Sequence, residues 1–133
     1  YIVPRIQALA MNEAARMVEE GVATAEDIDK AVKVGFGLRF AVLGLAEFID
    51  WGGGDILYYA DKYLSRTLDK DRFSTPQIIE DNMHNQRNGL RDGVGFYDYR
   101  DMDVAAYRKS RMADFIGLLK YLELAPKPDV STS

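Results

Sequence analysis

The chain has 133 residues, 47% hydrophobic and 29% charged, with 17 Lys and Arg against 21 Asp and Glu for a net charge of −4. This is one domain's worth of chain, apolar enough to bury about two-thirds of its unfolded surface, and its negative balance is the wrong sign for gripping a polyphosphate backbone, so nucleic acid is not an expected partner. The absence of cysteine excludes a disulfide framework, a thiolate zinc site, an iron–sulfur cluster and a cysteine nucleophile. No apolar run approaches the ~20 residues needed to span a bilayer and no export signal opens the chain, so the expected setting is cytoplasmic and away from membranes. The chain starts Tyr1-Ile2-Val3-Pro4-Arg5 without an initiator Met and is expected to be a fragment of something larger.

From Val3 to Glu20 the apolar positions Ile6, Leu9, Ala10, Met17 and Val18 recur at helical steps, with Pro4 in the first turn and Gly21 as the stop. Thr24-Ala25-Glu26-Asp27 reads as an N-cap for a second, shorter helix whose expected inward stripe is Ile28, Ala31 and Val32. The apolar stretch from Gly35 to Gly44, punctuated by glycines, is expected to be a structured loop. Leu45 to Trp51 predicts a short helix ended by Gly52-Gly53-Gly54, and Asp55 is the expected cap of the next, with Ile56, Tyr59 and Tyr63 facing inward.

Ser74-Thr75-Pro76 predicts a further helix start, the hydroxyls capping and Pro76 presetting the dihedral, ahead of Ile78, Ile79 and Met83. Asn88 to Gly95 is a turn leading into a brief extended piece, Phe96-Tyr97-Asp98-Tyr99, whose aromatics are expected in the core. Asp103 then caps a long helix through Leu124, with Tyr107, Phe115, Leu118, Leu119 and Leu122 along one side, ended by Pro126 and Pro128. Residues 125–133 are expected to be a disordered tail. Almost no period-two alternation is present, so the predicted fold is all-α.

Chemistry is sparse. His84 is the sole histidine, and although Glu80 and Asp81 share its helix face, one imidazole without thiolates is a weak basis for a metal site, so none is expected. Gly35-Phe36-Gly37 resembles the start of a dinucleotide fingerprint, but Phe40 stands where the third glycine belongs and a helix rather than a strand precedes it. Glu47 and Asp50 are explained as well by capping and ion pairing as by acid–base chemistry. Two readings stand for Arg39, the guanidinium in the middle of the apolar Gly35–Gly44 stretch: a cleft wall reading an anionic group, or a cation snorkelling to solvent. No catalytic residue, cofactor site or metal site is assigned within this chain.

Several phrases in order resemble a known family: Tyr1-Ile2-Val3-Pro4-Arg5, Asn12-Glu13-Ala14, Glu20-Gly21-Val22-Ala23, Glu26-Asp27-Ile28-Asp29, Gly35-Phe36-Gly37, Gly44-Leu45-Ala46-Glu47-Phe48-Ile49-Asp50 and Gly93-Val94-Gly95-Phe96-Tyr97-Asp98-Tyr99. Together they resemble the C-terminal domain of NAD-dependent 3-hydroxyacyl-CoA dehydrogenases. The resemblance implies a helical domain over residues 1–124, of the kind seen in the C-terminal domain of 6-phosphogluconate dehydrogenase, that dimerises and closes one wall of a substrate cleft. It also implies an N-terminal Rossmann domain outside this chain that binds NAD and supplies the catalytic His and Glu.

The family's carbonyl-assisting Asn falls on Pro4, which has no side-chain hydrogen bond to offer. The loop from Gly37 to Gly44 looks more like the gulonate and carnitine dehydrogenase branch, whose members oxidise small polar hydroxy compounds. The substrate-binding residues this implies are Pro4, Arg5, Arg39 and Phe40, with a homodimer and a small-molecule substrate, an acyl-CoA or hydroxy acid, as partners. The chain by itself is expected to be inactive. The rival reading is a stand-alone helical interaction module without catalysis.

Overall fold

The computed structural model describes residues 1–124, so the expected tail and the stops at Pro126 and Pro128 lie outside the described residues. Among these residues seven α-helices follow in order: α1 (Ile2–Glu19), α2 (Ala25–Ala31), α3 (Gly37–Val42), α4 (Leu45–Gly52), α5 (Gly54–Thr67), α6 (Gln77–His84) and α7 (Val104–Tyr121). A π-helical turn (Val32–Phe36) joins α2 to α3, and a 3₁₀ turn (Leu90–Asp92) lies between α6 and α7. Among the described residues the extended pairing amounts to two isolated antiparallel bridges, Gly89 with Val94 and Val94 with Asp98. The all-α expectation holds. The described residues divide into two compact units, residues 1–41 with 118–124, and residues 42–117.

In the first unit the local signals are obeyed. Pro4 sits in the first turn of α1, where the N–H of Arg5 already reaches the Tyr1 carbonyl at 3.3 Å and the missing proline N–H loses no partner. The helix closes by a Schellman motif: the N–H of Val22 bonds the Met17 carbonyl at 2.9 Å and that of Gly21 bonds Val18 at 3.1 Å. Gly21, at φ +71°, is the left-handed residue this closure needs. Thr24 caps α2, its hydroxyl accepting from the N–H of Asp27 at 3.1 Å. Of the expected inward stripe only Ile28 is buried; Ala31 and Val32 are exposed, the α-helix giving way to the π turn at Val32.

The Gly35–Gly44 stretch departs from expectation. It is helical through Val42, not a loop, because Gly35 and Gly37 are used without positive φ and Gly37 has ordinary helical dihedrals of −66° and −42°. Glycine lowers helix propensity but does not forbid the helix, and here the apolar residues around it decide.

The second unit is built on α4, α5 and α6. Gly44 begins α4, and the Glu47 carboxylate reaches back to its N–H at 3.1 Å, half of a capping box whose other half glycine has no side chain to supply. The next helix starts one residue before the expected cap. Gly53 precedes it at φ +108°, and the Asp55 carboxylate takes the N–H of Ile56 at 2.9 Å and pairs with Arg91.

Ile56, Tyr59 and Tyr63, expected inside, are 58%, 63% and 59% exposed, since the opposite face of α5, with Gly54 and Asp61, is the one buried. At α6 the expected hydroxyl caps are absent. Pro76 itself is the cap residue in extended geometry, Ser74 donates to the Asp71 carbonyl at 3.4 Å, and the Thr75 hydroxyl is buried without a partner. A residue before proline is pushed to extended backbone, which carries Ser74 and Thr75 away from the first-turn N–H groups.

Asp103 caps α7 as expected, accepting from Ala106 at 3.0 Å. The helix ends at Tyr121 rather than Leu124 because Glu123 adopts φ +57° and the N–H of Leu124 bonds the Leu119 carbonyl at 2.8 Å, a second Schellman closure. Among the aromatics following the glycine turn, only Tyr99 is core, at 4% exposed; Phe96 and Tyr97 are exposed. The backbone amides of those two residues, rather than their rings, make the inward contacts.

Candidate functional site

The four residues singled out from the sequence lie on two helices of the first unit. Pro4 and Arg5 share the exposed first turn of α1, and Arg39 and Phe40 share α3. Arg39 is exposed and Phe40 half-buried, its ring meeting that of Phe36 edge-on at 4.9 Å between centroids. Arg39 precedes Phe40 on the helix, and an exposed guanidinium can hold a planar anionic group bidentate. On the other side of α3 an open groove of about 520 Å³ is lined by Val32, Gly37, Leu38, Ala41, Leu118 and Leu122.

Gly35-Phe36-Gly37 does not form a phosphate cradle. These residues run through the π-helical turn into α3, and the N–H of Gly37 is spent on the Val32 carbonyl. A dinucleotide loop would need that N–H to be free and a strand before it. This segment does not fit a dinucleotide.

His84 occupies the last turn of α6, exposed. Its would-be co-ligands are engaged elsewhere, Glu80 with Lys62 at 3.7 Å and Asp81 with the Gln77 amide at 3.0 Å. No group of three His, Cys, Asp or Glu able to hold a metal occurs among the described residues.

Two carboxylates on α4 carry more than capping and ion pairing assigned to them. Asp50 is 2% exposed, and its oxygens accept from the backbone N–H of Phe96 at 2.9 Å, the N–H of Tyr97 at 3.0 Å and the hydroxyl of Tyr99 at 2.8 Å. A charge on a largely apolar helix is thus satisfied by the turn that packs over it. Gly89 lies so close that a Cβ there would fall within the Asp50 backbone, and its φ of +127° also excludes other residues. Burial first, and then the bond to Asp50, push the Tyr99 hydroxyl well above the ordinary tyrosine range, so it remains a donor.

Glu47 accepts from the Tyr107 hydroxyl at 2.7 Å, which holds its carboxyl below the usual range, while burial and that same bond push Tyr107 up to about 12. Trp51 packs on Tyr107 at 5.6 Å between centroids, and the Arg108 guanidinium lies 5.0 Å above the Trp51 ring. This network ties α4, the 88–99 turn and α7 into a scaffold. The sequence signal for it is an acid, Asp50, placed between Ile49 and Trp51 in an apolar helix ahead of a glycine-rich turn with amides to offer.

Residues 1–99, which run from the first turn of α1 to the Asp50-bound turn and leave out only α7 of these features, match the family described as 3-hydroxyacyl-CoA dehydrogenase, C-terminal domain. The chain belongs to that family. It is similar to a 5-formyl-3-hydroxy-2-methylpyridine 4-carboxylate 5-dehydrogenase of Mesorhizobium japonicum, with 26% identity over 92% of this chain and 40% of the relative. The fatty acid oxidation complex subunit alpha of a Shewanella species is 33% identical over 96% of this chain and 17% of its own length.

A 3-hydroxyacyl-CoA dehydrogenase from Archaeoglobus fulgidus, solved by crystallography, superposes with a TM-score of 0.82 and 32% identity, covering 94% of this chain and 43% of that one. The chain thus spans less than half the length of each of these three proteins. Among the described residues no helix of this 3-hydroxyacyl-CoA dehydrogenase C-terminal domain is long and apolar enough to cross a membrane.

Proposed function

We propose that this domain is part of an oxidoreductase that transfers a hydride between NAD and a 3-hydroxyacyl-CoA or a related 3-hydroxy acid. Its own share is dimerisation and one wall of the substrate cleft. The observation that carries this reading is the family match over residues 1–99, which takes in every element from α1 to the turn held by Asp50. The Gly35–Gly37 segment does not fit a dinucleotide, so NAD, which accepts or donates the hydride when bound, belongs to another domain of the parent protein, together with the catalytic acid–base residues.

Within this domain Arg39 pairs with an anionic group of the substrate, Phe40 and Phe36 form the apolar wall beside it, and Pro4 and Arg5 hold the entry turn of α1 at the cleft. A relative that by its name acts on a pyridine carboxylate supports a guanidinium in this role. The exposed stripe of Ile56, Tyr59 and Tyr63 along α5, with Met112 and Ile116 exposed on α7, supports a second copy of the chain as dimer partner.

The test is hydride transfer by the full-length protein that carries this domain. NADH should form when NAD is supplied with 3-hydroxybutyryl-CoA or with free 3-hydroxybutyrate. Failure to turn over both these and other short 3-hydroxy acids would refute the reading.

A further inference from the structure

α1 runs for 18 residues without one buried side chain. Its half-buried positions, Glu13, Ala14, Arg16 and Met17, all belong to its second half, and residues 1–12 are exposed throughout. An uncovered helix of about 12 residues is marginal in water, so the first half of α1 frays unless another surface covers it. What it offers to such a surface is apolar: Ile2, Ile6 and Leu9 are 76%, 41% and 73% exposed. At about 100° per residue they fall within about 60° of one another, a single stripe at the i, i+4, i+7 spacing by which a helix docks on a partner.

The charges beside the stripe select the partner. Arg5 and Glu13 stand four residues from Leu9, one on each side of it along the chain. A two-fold axis beside Leu9 lays two copies of α1 antiparallel, Leu9 against Leu9, and brings each Arg5 opposite the partner's Glu13. A parallel pair would set Arg5 beside Arg5 and Glu13 beside Glu13. The stripe is therefore complementary to itself in one direction only, and Glu13 keeps its own bridge to Arg16 at 3.9 Å.

We infer that the exposed half of α1 is a dimerisation face, and that its occupant is α1 of a second copy, paired antiparallel through Ile2, Ile6 and Leu9. The inference rests on the second copy proposed above as partner and adds to it a face distinct from the α5 stripe. It also places that copy beside the first turn of α1, so the pair formed by Arg5 and the partner's Glu13 holds the turn that carries Pro4.

Met11 supplies the control. It is 64% exposed, nearly as open as Leu9, but lies about 160° from it around the helix. Under mild oxidation of the full-length protein, Leu9→Cys should form a disulfide-linked dimer, mapped by mass spectrometry to position 9 of both copies, because thiols whose Cα atoms lie ~4.4–6.8 Å apart can be bridged. Met11→Cys should stay unlinked. The 133-residue chain adds no cysteine of its own. Without any cross-link, Leu9→Glu should weaken dimerisation about tenfold or more by sedimentation, and Met11→Glu should leave it unchanged.

A dimer that links no better through Leu9→Cys than through Met11→Cys, or that tolerates Leu9→Glu as well as Met11→Glu, would overturn the inference and leave the second copy in place. A monomeric parent would remove the second copy itself, and this pairing with it.

Discussion

Replacing Asp50 by Ala should unfold the second unit more readily than any other single change on α4. The side chain is 2% exposed and accepts three hydrogen bonds, at 2.9 Å from Phe96, 3.0 Å from Tyr97 and 2.8 Å from Tyr99. A hydrogen bond to a charged group contributes about 1.5–3 kcal/mol, so Tyr99→Phe, which removes one donor, should cost that much. Asp50→Ala strands all three donors and leaves a cavity, and the cost of breaking a buried charged network is about 3–5 kcal/mol. Against a domain stability of roughly 5–15 kcal/mol, that is a large fraction of the whole.

Asp50→Asn should fall between the two. Its one remaining oxygen can serve Tyr97 and Tyr99, but its amide then faces the N–H of Phe96, donor against donor. With a urea slope of about 2 kcal/mol/M, the alanine variant should lose about 1.5–2.5 M in unfolding midpoint. Amide hydrogen exchange of Phe96 and Tyr97 should accelerate at the same time. A midpoint within ~0.3 M of the parent, with exchange unchanged, would show that the turn is held by something other than Asp50.

Burial raises the pKa of Asp61, which lies on the inner face of α5, and Lys62 only partly offsets it. A raised carboxyl stabilises the fold below the unfolded value of about 3.9 and loses that contribution as pH climbs through the folded value, so ionised Asp61 is a cost at neutral pH. Asp61→Asn should therefore raise the urea midpoint at pH 7 and not at pH 3; a lower midpoint at pH 7 would mean the carboxylate has a favourable partner. If, as proposed, another group makes the hydrogen bond that the family resemblance assigns to an Asn at position 4, Pro4→Asn in the full-length protein should leave kcat unchanged or lower; a large rise would refute that proposal. Sedimentation of the full-length protein should give twice the protomer mass at micromolar concentration, and Tyr59→Glu with Tyr63→Glu on α5 should return it to the monomer; a monomeric parent would leave the α5 stripe without its proposed partner.

What is legible in the sequence is local. The Gly21 stop, the Thr24 cap and the Asp103 cap each depend on residues within four positions, and each forms where the spacing places it. The Gly35–Gly44 stretch reads as a loop because glycines mark a break by propensity alone, whereas a π turn uses them inside a helix. The inward face of α5 is misassigned because Ile56, Tyr59 and Tyr63 make an apolar stripe that periodicity cannot tell from a surface stripe awaiting a partner.

An acid in an apolar helix marks Asp50, but its partners are not legible, for a different reason. Its partners lie 46 to 49 residues away, and no local pattern reports a bond over that separation. Arg39 stands out as one charge in an apolar run, and its exposed place on a helix rather than in a loop is hidden by the glycines around it.

The central claim is that this domain shapes a substrate site while NAD is bound elsewhere in the parent protein, and calorimetric titration with NADH tests it most directly. The 133-residue chain should give no saturable heat up to millimolar NADH, and the full-length protein should bind it with a defined stoichiometry. Micromolar binding of NADH to the 133-residue chain would contradict the account.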